Sequence, residues 1–83
     1  MDINKDLITG IGSRISFIRN KKKLTQQELA FLTGIDTADI SKYEGGKINL
    51  TLKTLLRFAV ALQVHPKELF NFEFDVTQYK VDE

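Results

Sequence analysis

TQQELAFLTGIDTADISKYEGG, residues 25–46, decides the fold. Thr25-Gln26-Gln27-Glu28 has the form of a capping box, with the Thr25 hydroxyl placed to accept from the Glu28 amide and the Glu28 carboxylate reaching back. A helix therefore starts here, turns Leu29, Ala30 and Leu32 to the interior, and stops at Gly34, the residue that adopts a left-handed backbone at lowest steric cost. Two residues on, Asp36-Thr37-Ala38-Asp39 repeats the capping signal. A second helix follows through Ile40 and Tyr43 to Glu44 and is ended by Gly45-Gly46. The expectation is two short helices joined by a tight glycine turn, with small Ala30 at their closest approach and Ile40 and Tyr43 anchoring the second.

On the N-terminal side, Leu7 or Ile8, Ile11, Ile15 and Ile18 recur at three- and four-residue spacing, the mark of one apolar helix face. Gly10 and Gly12 weaken the first turns of that helix, and the lysines of Asn20-Lys21-Lys22-Lys23 complement the dipole at its end. On the C-terminal side, Thr51 caps a fourth helix with a stripe of Leu52, Leu55, Leu56, Ala59 and Leu62. Pro66 suits the first position of a short fifth helix, since its missing N–H has no partner there. Beyond it Phe70, Phe72, Phe74 and Val76 alternate with Asn71, Glu73 and Asp75, a period of two that predicts an extended strand. Such a stretch is too apolar for a free tail. It either packs on its own core or pairs across the two-fold axis of a dimer. The fold class is thus all-α: a five-helix domain over residues 1–70, followed by an extended aromatic and acidic tail over 71–83.

Eighty-three residues, 42% hydrophobic and 28% charged, allow one compact core and little room for a multi-group catalytic pocket. The absence of cysteine excludes disulfides and thiolate metal sites. The start of the chain lacks the charged and apolar regions of a signal peptide, and no window approaches eighteen apolar residues, so a cytoplasmic protein is expected. The net charge of +1 hides an asymmetry. Residues 1–66 carry ten Lys/Arg against six Asp/Glu, a balance of +4, while residues 67–83 carry two against five, a balance of −3. A mildly basic body suits a phosphate-bearing partner, and the acidic tail faces elsewhere.

Enzymatic motifs are missing. Gly10-Ile11-Gly12 lacks the third glycine of a dinucleotide fingerprint, with Ile15 in its place, and Gly45-Gly46-Lys47 is not followed by the Ser/Thr of a phosphate loop. The sole histidine, His65, precedes Pro66 and reads as a helix cap. No nucleophile stands beside a base, so no catalytic residue, metal or cofactor is expected.

The chain resembles the helix-turn-helix domains of the lambda-type repressor and Cro group. The resemblance rests on Ile11-Gly12-Ser13-Arg14-Ile15, Leu24 to Ala30, Gly34, Ile40-Ser41, Glu44 to Lys47, and Thr54 to Leu62, and covers roughly residues 11–70. It implies a five-helix domain that binds double-stranded DNA, commonly as a homodimer on a two-fold operator, with its first motif helix across the backbone and its second in the major groove. By position it makes Thr37, Ala38, Ser41 and Lys42 the base-reading residues. Their chemistry is compatible: Lys42 can donate to guanine, Thr37 and Ser41 can donate or accept, and the Ala38 methyl can meet a thymine methyl. Gln26 matches the family's phosphate-clamping glutamine at a positive helix end. The Gly46 and Lys47 amides, the Lys47 ammonium, Asn49 and Arg19 are the further phosphate candidates. Arg19 and Glu44 also stand where some relatives form an ion pair. Two positions depart from the pattern: Lys23 where Gly or Asn is common, and Leu50 where Pro is common. Among regulators, a repressor or a restriction-modification controller is favoured over an antitoxin. An interaction adaptor that has lost DNA binding is the alternative from another class.

Overall fold

The computed structural model describes residues 2–80, which form four α-helices, α1 (Ile3–Lys21), α2 (Gln26–Thr33), α3 (Thr37–Glu44) and α4 (Leu52–Leu62), then two short 3-10 helices, Pro66–Phe70 and Val76–Gln78. No helix among the described residues is long and apolar enough to cross a membrane. The caps lie where the sequence places them. Thr25 Oγ1 accepts from the Glu28 amide at 3.0 Å and Glu28 Oε1 from the Thr25 amide at 2.9 Å, which completes the capping box and holds the Glu28 carboxyl below its usual pKa. Asp36 and Thr51 cap α3 and α4, and His65 Nδ1 accepts from the Lys67 amide at 3.0 Å. Gly10 and Gly12 do not interrupt α1, which is capped by Asp2.

The core is built from one stripe of each helix: Ile11, Ile15 and Ile18 of α1, Leu29 and Ala30 of α2, Ile40 of α3, and Leu55, Phe58, Ala59 and Leu62 of α4, closed by Leu69. Three anticipated core residues are not in it. Leu32, Leu52 and Leu56 are 52%, 72% and 43% exposed. On α2 the next inward position after Leu29 and Ala30 is Thr33, whose hydroxyl is satisfied by donating to the Leu29 carbonyl at 2.8 Å. On α4, nearly every position is apolar, so two stripes compete. The one at 55, 58, 59 and 62 faces inward, and Leu52, Leu56 and Val60 form a second, exposed row. With Leu32, that row lines a groove of about 570 Å³ between α2 and α4.

The C-terminal quarter differs from expectation in two ways. The fifth helix is a 3-10 helix with Pro66 in its first turn and Leu69 buried, a form common in runs this short. The strand over 70–76 is absent, because a strand needs a ladder partner and the described residues offer none in this all-helical layout. The tail folds back instead. A side chain added at Gly10 would overlap the Phe72 ring, and the Phe74 ring stacks on Tyr79 with centroids 5.0 Å apart. Tyr79 donates to Asp6 Oδ2 at 2.5 Å, which raises the phenol pKa to about 12. Residues 81–83 of the anticipated tail lie outside the described residues.

Two helices end on left-handed residues that are not glycine, Lys23 at φ 60° and Gln63 at φ 56°. At Lys23 the following amide, that of Leu24, bonds the Arg19 carbonyl at 3.0 Å and the Lys23 amide bonds that of Asn20, the hydrogen-bond pattern in which glycine is favoured. The departure noted at Lys23 therefore carries backbone strain. Lys23→Gly is expected to raise stability by about 0.5–1 kcal/mol, measured as a higher urea midpoint at unchanged slope.

Candidate nucleic-acid interface

α3 has two faces. Ile40 is fully buried and Tyr43 meets Phe58 edge to face at 5.5 Å, which pins one side of the helix to the core. Ala38, Ser41 and Lys42 lie on the other side, all exposed, with Thr37 half-buried at the helix start. Spacings of one, three and four residues put these four on one strip, so the base-reading set named from the sequence is spatially coherent. None of the four makes a side-chain hydrogen bond among the described residues, which leaves Thr37, Ser41 and Lys42 with donors for an outside partner.

The end of α3 is fixed by a buried polar cluster. Arg19 Nε donates to Glu44 Oε2 at 2.6 Å and Nη2 to Oε1 at 3.1 Å, while Nη1 donates to the Leu24 carbonyl at 2.7 Å. The Arg19 and Glu44 side chains are only 11% and 7% exposed. The anticipated ion pair forms, and it spends the guanidinium: Arg19 is turned inward and is not free to meet a phosphate. Gln26 joins the cluster through Nε2 to Glu44 Oε1 at 3.1 Å. That contact ties the start of α2 to the end of α3 and leaves the other N–H of the Gln26 amide, with the unpaired backbone amides of the first turn of α2, for an anion.

The double glycine is a helix terminator. Gly46 sits at φ 68°, its amide bonds the Tyr43 carbonyl at 3.1 Å, and the Lys47 amide bonds the Lys42 carbonyl at 2.9 Å. Both amides named as phosphate donors are therefore consumed within the chain, because a Schellman turn uses them to satisfy the last carbonyls of α3. The Lys47 ammonium and the Asn49 side chain remain exposed beside the turn. Close approach is the other reason for glycine here: a side chain on Gly46 would come within 2.9 Å of Thr9, and one on Gly12 within 2.8 Å of the Glu44 carbonyl oxygen.

Two arginines to which the sequence reading assigned no role make long-range bonds. Arg57 of α4 donates through Nε and Nη2 to the Thr33 carbonyl, at 3.1 and 2.7 Å, and so caps the end of α2 at the turn. Arg14 donates to the Glu68 carbonyl at 2.8 Å and pairs with its carboxylate at 3.5 Å. Partners 24 and 54 residues away leave no local signal for either.

A capped helix, a left-handed glycine turn and a second helix with one face buried and the other free define a helix-turn-helix protein. The helix-turn-helix family model HTH_3 matches residues 15–69, and the chain belongs to that family. Among solved structures, the restriction-modification controller protein C.AhdI from Aeromonas hydrophila is 40% identical, with a TM-score of 0.73 over 78% of this chain and 97% of that one. The restriction-modification controller C.Esp1396I, solved as a tetramer in complex with its natural 35 base-pair operator, is 33% identical, with a TM-score of 0.72 over 77% and 84% of the two chains. A hypothetical transcription factor from Neisseria, NHTF, is 28% identical at a TM-score of 0.74, over 83% and 79%. No curated protein matches the sequence.

Proposed function

We propose that this protein is a small cytoplasmic transcriptional regulator of the restriction-modification controller kind, which binds double-stranded DNA with α3 in the major groove. The observation that carries the reading is the free face of α3, Thr37, Ala38, Ser41 and Lys42, on a helix whose opposite face and end are locked by Ile40, Tyr43 and the Arg19–Glu44–Gln26 cluster. Lys42, Ser41 and Thr37 read base edges and Ala38 supplies an apolar contact. Gln26 with the start of α2, the Lys47 ammonium and Asn49 hold phosphates, while Arg19 and Gly46 act by positioning these groups. The role is binding, without a chemical step.

The protein works as a homodimer on a two-fold operator. Two observations support this: a 33% identical controller assembles as a tetramer on its operator, and the groove of Leu32, Leu52, Leu56 and Val60 is apolar surface that self-association would bury.

Selection of bound duplexes from a random pool, followed by titration at several salt concentrations, tests the proposal. A two-fold consensus is expected, with half-sites about 34 Å apart, and the log of affinity falling against log salt with a slope of about −0.9 per phosphate contacted. Lys42→Ala is expected to relax preference at one base pair at a cost of about 1–3 kcal/mol, and Gln26→Ala to weaken all duplexes alike. Absence of salt-dependent binding would sink the proposal and favour an interaction adaptor.

A further inference from the structure

The C-terminal segment is stitched along a single face of α1 at four-residue intervals. Arg14 bonds the carbonyl and carboxylate of Glu68, Gly10 receives the Phe72 ring, and Asp6 accepts from Tyr79. The segment therefore runs antiparallel to α1, from its middle towards its start. At about 100° per residue, Gly12 and Arg19 lie on the nearly opposite face, and Thr9 lies on the flank between, about a quarter turn from Gly10. That face carries the end of α3, with Gly12 against the Tyr43 and Glu44 carbonyls and Arg19 on Glu44, while Thr9 meets Gly46 from the flank. α1 is thus clamped between the tail and the turn that presents Lys47. The family match ends at residue 69, so Phe72, Phe74 and Tyr79 lie beyond it.

We infer that residues 71–80 are a positioning strap: by gripping one face of α1 they hold Gly12 and Thr9 against the end of α3 and Gly46, and so set the Gly45-Gly46-Lys47 turn in its phosphate-facing place. Phe72 and Tyr79 are the positioning residues, and neither touches the nucleic acid. The strap stays within its own chain and is not the seam between two copies. The functional half of this inference rests on the DNA-binding reading above; the mechanical half does not.

The test is amide hydrogen exchange on the free full-length protein, with operator affinity and sedimentation measured alongside. Phe72→Ala is expected to speed exchange of the Gly46 and Lys47 amides by about 5-fold or more and to weaken operator binding by about 3- to 10-fold, without changing the consensus. Tyr79→Phe keeps the ring stack and removes one hydrogen bond, so about 2-fold effects in the same direction are expected. Val76→Ala, at a 67% exposed position, is the control and should match wild type. Wild-type exchange at Gly46 and Lys47 in both Phe72→Ala and Tyr79→Phe would overturn the strap. So would a fall in oligomeric mass in either variant, which would make the tail an interface. If the unmodified protein binds no duplex, the DNA reading fails by itself and the exchange rates still decide the strap.

Discussion

Glu44→Ala is expected to destabilise the fold by about 3 kcal/mol, which in a domain of this size lowers the thermal midpoint by about 15 °C. The substitution leaves the Arg19 guanidinium, 11% exposed and bound to Glu44 through two of its nitrogens, as an unmatched charge beneath the end of α3. It also frees the Gln26 amide from its only side-chain partner among the described residues. Circular dichroism melts of Glu44→Ala and of the double variant Arg19→Met/Glu44→Leu separate the two contributions. The double variant removes both charges and should recover most of the loss, because the pair specifies geometry more than it adds net stability. A single variant as stable as wild type would remove the buried pair from the account of how α3 is held.

Phe58→Ala should cost about 3–5 kcal/mol, whereas Leu52→Ala should stay within about 0.5 kcal/mol. Phe58 is fully buried and meets Tyr43 of α3, while Leu52 is 72% exposed. Loss of the ring both opens a cavity and unpins α3 from α4. Urea unfolding of the two variants therefore tests the register of α4 directly, and equal losses would contradict it.

That register shows where the sequence was readable. The capping box at Thr25, the Gly34 turn and the Asp36, Thr51 and His65 caps are local chemistry, settled within a few residues, and each is found where it was expected. The α3 face was readable because Ile40 and Tyr43 are the only apolar side chains of its last turns that need cover, which leaves Ser41 and Lys42 outside. Helix α4 was harder: with Leu52, Leu55, Leu56, Phe58, Val60 and Leu62 all apolar, spacing alone admits two stripes, and only packing against α2 and α3 chooses between them. The Gly45-Gly46-Lys47 turn was half readable. Glycine at 45 and 46 announced the helix end, but the use of the Gly46 and Lys47 amides in closing it depends on φ at Gly46. Alternation from Phe70 to Val76 read as a strand because period-two patterning reports which side chains share a side and not whether a neighbouring strand exists.

The contact between Tyr79 and Asp6 closes a loop of 73 residues, and the Arg14–Glu68 contact one of 54, whereas the α2–α3 unit is made by neighbours in sequence. Loop-closure entropy must be offset before such distant contacts form, so the order of assembly follows: the two motif helices and their turn condense early, and Asp6 and Tyr79 meet last. Changes at Tyr79 should accordingly quicken unfolding and leave the refolding rate nearly untouched. Tyr79 acts as a latch on the lifetime of the native state, while the speed of reaching that state belongs to the α2–α3 unit.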